Sequence, residues 1–185
     1  MPLIFSETEL KGVVVIESDI YEDERGFFRE IFHTDKYQQL GQIFVQDNHS
    51  YSKKGVLRGL HYQLNNQQGK LVTAITGEIF DVAVDIRKGS PTFGKWTGAN
   101  LSPLNKRQIY IPKGFAHGFC VLSDRADVLY KCTDLYVPGD EYGLLWSDSM
   151  IDIDWPVSDP IVSDKDSRCP TLDQIPEELL PVYKA

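Results

Sequence analysis

Proton transfer near neutral pH is the work of imidazoles, and the sequence has four of them, His33, His49, His61 and His117. A metal site on a strand would present two of these as H-x-H with a carboxylate a few residues on. Here the positions two before and two after His61, on its own strand face, are Gly59 and Gln63, so no chelating set forms around it and no metal is expected. Cys120, Cys132 and Cys169 are odd in number and lack C-x-x-C spacing; they read as reduced thiols rather than a disulfide framework or a zinc site.

The segment Gly55–Gln63, GVLRGLHYQ, places Arg58 three residues before His61 with Gly59 between them. In a regular strand the two side chains point to opposite faces; a bulge at Gly59 would bring them together, and the missing side chain lets something approach closely. Alone, the segment also fits a part-buried structural histidine beside a surface arginine. His117, in IPKGFAHGF (Ile111–Phe119), sits between Ala116 and Gly118, small neighbours that leave it reachable by a ligand; alternatively it bonds a nearby backbone carbonyl. Asp23–Glu30, DERGFFRE, combines arginines suited to phosphate with phenylalanines suited to a base, or is a charged hairpin loop. Gln46 and Asn48 alternate onto one strand face, while Lys70, Tyr130 and the run Ser163–Asp166 are ordinary polar sequence taken singly.

The elements that must position these groups are short apolar stretches rich in Val, Ile, Phe and Tyr and bounded by turn residues. The pattern predicts strands over Val13–Ile20, Phe27–Phe32, Val56–Gln63, Lys70–Thr76, Glu78–Ile86, Thr97–Leu101, Arg107–Ile111, His117–Leu122 and Asp127–Thr133. Helical signal is confined to Thr34–Leu40, capped by Thr34, and a turn at Pro176–Leu180. Many short strands with little helix imply an all-β fold, a double-sheet jelly roll of the cupin kind, with the tail after Pro156 wrapping back through Trp155, Ile161 and Val162. At 185 residues the chain is expected to form one domain over 1–185. Its net charge of −8 argues against nucleic acid as a partner, and the absence of a signal segment or a long apolar run leads to an expectation of no membrane span and a cytoplasmic location.

Taken together and in order, these segments closely resemble the dTDP-4-dehydrorhamnose 3,5-epimerase family, metal-free cupin-like enzymes of dTDP-L-rhamnose synthesis. The resemblance runs from about Val13 to Asp166, carried by DERGFFRE, QDNHS (Gln46–Ser50), GVLRGLHYQ, GKLV (Gly69–Val72), GEIFDVAVDIRKGSPTFGKW (Gly77–Trp96), IPKGFAHGF, LYKCTDLY (Leu129–Tyr136) and SDKD (Ser163–Asp166). It implies a general base at His61, an orienting carboxylate at Asp166, a general acid at Tyr130 on the opposite side of the sugar, and a donor to an enolate oxygen at Lys70.

The same resemblance carries substrate binding to Arg25, Glu30, Gln46, Asn48, Arg58, His117, Glu141 and Lys165, with Arg25 and Arg58 on the diphosphate and Phe28 and Tyr136 packing on thymine or sugar. It implies no cofactor, and a homodimer in which the N-terminal region of one subunit completes its partner's nucleotide site. Two neighbouring readings are a relative inverting only C3 or only C5 and a non-catalytic sugar-nucleotide-binding cupin. A metal-dependent cupin is a third.

Overall fold

The computed structural model describes residues 3–184. Thirteen strands run in chain order: β1 (Leu3–Glu7), β2 (Val14–Ser18), β3 (Tyr21–Asp23), β4 (Gly26–Phe28), β5 (Gln46–Lys53), β6 (Leu57–Gln63), β7 (Lys70–Thr76), β8 (Ile79–Asp85), β9 (Trp96–Leu101), β10 (Arg107–Ile111), β11 (Phe115–Val121), β12 (Arg125–Cys132) and β13 (Glu141–Gly143). They form a six-stranded sheet in the order β1-β2-β10-β7-β12-β5 and a five-stranded sheet in the order β13-β6-β11-β8-β9, with β3-β4 a separate hairpin. Every named strand pair is antiparallel. The all-β jelly-roll expectation therefore holds.

Alternation decides which side chains face the space between the sheets. On β8, Ile79 and Ala83 join the inter-sheet core with Val72, Ile109, Val128, Phe115 and Phe119, whereas Val82 and Val84 face outward. Outward does not mean exposed. The C-terminal tail covers that face with Leu172, Ile175 and Leu180, so the tail wraps back as expected. Trp155 packs there and donates its Nε1–H to the Trp146 carbonyl, while Ile161 pairs as an isolated bridge with Val56. The outer face of the larger sheet is covered by Phe32, Tyr37 and Phe44 over Ile16, Leu71 and Tyr110.

Two predicted elements come out differently. The strand expected over Phe27–Phe32 stops at Phe28, because the Ile31 carbonyl accepts from the Tyr37 hydroxyl and the Gln108 amide instead of a neighbouring strand. The helix expected over Thr34–Leu40 is one 3-10 turn, Gln38–Leu40, with no side-chain cap from Thr34. Seven residues cannot recover the cost of helix nucleation, and Tyr37 is held flat on the sheet. Short strands at β1, β3 and β13 lie outside the predicted set, their few residues giving no alternation to read, and so does the eight-residue β5, whose polar run was read only as far as Gln46 and Asn48 sharing a strand face. No helix among the described residues is long and apolar enough to cross a membrane.

The feature that sets the site is the contact of β6 with β11. His61 pairs with His117 and Arg58 with Phe119, so two residues of β6, Gly59 and Leu60, face the single Gly118. This is the bulge at Gly59, and it turns Arg58 and His61 to the same side. What approaches Gly59 is the neighbouring backbone: a Cβ there would lie 2.6 Å from the Gly118 Cα, at φ +120°. Gly118 is equally tight, its Cβ position 2.7 Å from the Arg58 carbonyl oxygen. Gly118→Ala should cost about 1–3 kcal/mol by overpacking and lower the melting temperature by roughly 2–4 °C per kcal/mol. An unchanged melting curve would show that the two strands have slack.

Candidate active site

A cavity of about 660 Å³ opens between the sheets, within the size range of small-molecule sites. Arg58 and His61 of β6 and His117 and Phe119 of β11 line one wall. Gln46, Asn48 and Ser50 of β5, Lys70 of β7 and Tyr130 of β12 line the other, with Tyr136, Glu141 and the segment 161–166 at the rim.

His61 Nε2 lies 2.8 Å from Asp166 Oδ1, joining residues 105 apart in sequence. Asp166 is buried, its second oxygen accepts the Gly59 N–H at 3.2 Å, and its own N–H donates to the Ser163 hydroxyl. Burial pushes this carboxyl up, but the His61 hydrogen bond and charge, the Gly59 N–H and Ser163 together outweigh it and hold it below the usual carboxylate range. An ionised carboxylate only accepts, so His61 Nε2 carries the hydrogen and the lone pair sits on Nδ1. The pair is built to take up a proton and to stabilise the imidazolium that results.

On the facing wall, burial, Cys132 and Glu141 push the Tyr130 phenol up against the opposing pull of Arg58, so it stays protonated and able to donate. Lys70 lines the cavity part-buried; desolvation draws its ammonium below the ordinary lysine range, with Cys132, Glu141 and Asp81 opposing. Among the described residues its side chain has no hydrogen bond or ion pair, leaving its donors to the cavity. Arg58 is aimed by bonds from Nε to the Ser52 hydroxyl, 2.9 Å, and from Nη2 to the Tyr51 carbonyl. Gln46 ties the strand to the rim, donating to Asn48 Oδ1 and accepting the Tyr136 N–H, and Lys165 pairs with Glu141.

His117 lines the cavity, but its small neighbours are not what opens it. Ala116 and Gly118 point to the other face of β11, and His117 is buried with Nε2 at 2.9 Å from Asp81 Oδ2. Burial pushes the Asp81 carboxyl up, opposed by His117 and Lys70. Sequence reasoning passed over Asp81, yet it is a carboxylate on the inward register of an otherwise apolar strand, which is a readable signal. Ser163, Ser50, Gln68 and Phe119 were likewise missed, and only their fold positions mark them.

The cavity gathers His61, Asp166, Tyr130, Lys70, Gln46, Asn48, Arg58, His117, Tyr136, Glu141 and Lys165. It does not include Arg25, Phe28 or Glu30. Arg25 pairs with Asp23 on an exposed hairpin, Phe28 is exposed, and Glu30 binds Lys36. Among the described residues no three His, Cys, Asp or Glu side chains cluster as a metal site.

Comparison with known proteins decides the family, because the family model described as dTDP-4-dehydrorhamnose 3,5-epimerase matches residues 7–174. The chain belongs to the dTDP-4-dehydrorhamnose 3,5-epimerase family. The member from Shigella flexneri is 58% identical over 164 residues, covering 86% of this chain and 91% of the relative. The 3,5-epimerase from Legionella pneumophila Philadelphia 1, solved in complex with dTDP-4-keto-L-rhamnose, superposes with a TM-score of 0.96 at 53% identity, covering 99% of this chain and 100% of that one. A 3'-monoepimerase from Streptomyces bikiniensis, solved with dTDP-quinovose, reaches 0.88 at 33% identity over 95% of this chain and 92% of that one. The family fold thus serves both double and single epimerisation.

Because Asp166 is held below its unfolded value, its stabilising effect is present above about pH 4 and is lost as pH falls through the lowered value. Asp166→Asn should therefore melt below wild type at neutral pH, with the gap closing as wild-type Asp166 protonates below about pH 4. Melting curves across that range check this, and a constant gap would rule out the carboxylate as the source.

Proposed function

We propose that this chain inverts C3 and C5 of dTDP-4-dehydro-6-deoxy-D-glucose to give dTDP-4-dehydro-L-rhamnose. The observation that carries the reading is a base and an acid on facing walls of one cavity: His61, backed by Asp166, on one sheet and Tyr130 on the other. The C3 and C5 hydrogens are acidified by the adjacent 4-keto group. His61 Nδ1 takes one, the C–H electron pair passes into an enolate, and charge gathers on O4, where Lys70 donates a hydrogen bond. Tyr130 then delivers a proton from the opposite side, inverting the centre. Proton exchange with water resets both groups before the second centre reacts.

Arg58 fixes the diphosphate by charge-assisted hydrogen bonds, Gln46, Asn48, His117, Glu141 and Lys165 hold the sugar and base, and Tyr136 packs on the ring system. Arg25, Phe28 and Glu30 serve the cavity of a second copy in a homodimer. Their distance from the cavity of their own chain supports this. The mechanism uses side chains alone and needs no cofactor. Cys120, Cys132 and Cys169 are free, which fits the reducing cytoplasm where we place the enzyme.

Proton NMR of the reaction in deuterium oxide tests the proposal. Deuterium at both C3 and C5 with inversion is expected; label at one centre would identify a single-centre epimerase, and label at neither would leave only a binding protein. His61→Ala should abolish exchange at both centres, whereas Tyr130→Phe should retain more exchange than inversion. Turnover near wild type in the His61 variant would refute the assignment of the base. Arg58→Ala should raise KM by about tenfold or more, on the scale of a lost charge-assisted hydrogen bond.

A further inference from the structure

Residues 21–28, the hairpin β3-β4 and its turn, are all exposed, and they carry Tyr21, Phe27, Phe28 and Arg25 out from the protein surface. Such a hairpin would sway freely if it were held only by its own three-residue strands. It is held at the base by Arg29. The Arg29 Nε–H donates to the Ser18 hydroxyl at 2.9 Å, and Nη2 donates to the Lys106 carbonyl at 2.7 Å. Ser18 ends β2 just before the hairpin and Arg29 follows β4, so one guanidinium ties the two legs together and fastens both to the β9–β10 turn.

The acceptor is itself specially placed. Lys106 has φ 63°, a left-handed conformation uncommon for a residue with a side chain, and its carbonyl also receives the Ser18 N–H. Ser18 is buried and Arg29 is part-buried, so the clip is shielded from competing water. Just beyond it the Ile31 carbonyl accepts from Tyr37 and Gln108, which fixes the chain leaving the hairpin.

The hairpin is far from the cavity of its own chain. The cavity strand nearest β2 is β7, which carries Lys70 and lies across β10, about 10 Å away at the usual strand spacing. Along the strands, Glu17 faces Arg107 and Gln108 faces Thr73, which sets the hairpin stem three residues or more from Lys70, about 10 Å. A projecting set of aromatics with one cation suits docking onto a second copy.

We infer that Arg29 is a positioning residue, a clip at the hairpin base that sets the angle at which Arg25 and Phe28 are presented to the nucleotide in the partner's cavity. This rests on the proposed role of the hairpin in a homodimer. Arg29 touches no substrate and acts through Arg25 and Phe28.

Steady-state kinetics of Arg29→Met, Arg25→Ala and the double variant, with melting curves for each, test the inference. Arg29→Met keeps the stem's bulk and removes the clip; it should raise KM for the dTDP-4-keto-6-deoxy sugar roughly tenfold, equivalent to about 1.4 kcal/mol, with kcat little changed. The double variant should fall short of the sum of the two single effects, because a misaimed hairpin without Arg25 has only the Phe28 contact left to lose. Ser18→Ala, which removes one clip partner and leaves Arg29 in place, should raise KM in the same direction by less and serves if Arg29→Met folds poorly. Unchanged KM in Arg29→Met and Ser18→Ala beside a raised KM in Arg25→Ala would overturn the clip alone, as would additive effects in the double variant. Unchanged KM in Arg25→Ala would overturn the hairpin's role in binding, a separate failure.

Discussion

The hydrogen bond from His61 to Asp166 is the constraint around which the site is arranged. A buried carboxylate is costly unless several donors meet it, and Asp166 meets His61 with one oxygen and the Gly59 N–H with the other. The second of these donors lies on the edge of β6 that faces away from β11, where the Leu57 N–H likewise donates to the C-terminal segment, at the Ile161 carbonyl. One stretch of β6 therefore does two things: its bulge turns His61 inward beside Arg58, and its edge away from β11 supplies a backbone donor to the carboxylate that meets His61. The Gly59 and Gly118 pair is the steric condition for the bulge.

The two-sheet architecture would give the proposed chemistry its handedness. An imidazole on one wall and a phenol on the other face the cavity from opposite sides, and the pleat fixes which residues of each strand reach inward. Desolvation then separates their roles. It keeps the Tyr130 phenol protonated, while the hydrogen bonds collected by Asp166 keep that carboxylate ionised in spite of burial. His117 and Asp81 form a second buried pair, and Asp81 acts on Lys70 of the facing sheet.

Much of this was legible from residue types and order. The strands carrying the site, β5 apart, were marked by alternation and turn residues, and the position of Gly59 between Arg58 and His61 already posed the question that the bulge answers. The partnership of His61 with Asp166 came from family resemblance and not from spacing, since no local pattern links a strand residue to one 105 positions later. Asp81 was overlooked because it lies in a run that otherwise reads as plain core, and the small neighbours of His117 do not explain its access, because neighbours in sequence lie on opposite faces of a strand and the cavity meets His117 from the other face. The short helix at Thr34 failed for a tertiary reason: the larger sheet needed a cover, and Phe32, Tyr37 and Phe44 make one without helical periodicity.

The wrapped tail has a bearing on biosynthesis. The strands that build both sheets end at Gly143, whereas the residue that orients the base arrives with the segment laid over the outer face of the smaller sheet. A product terminated before residue 166 would lack both the carboxylate that meets His61 and the apolar cover of the smaller sheet. By the proposed roles, exchange of carbon-bound hydrogen would then depend on a segment that lies outside both sheets.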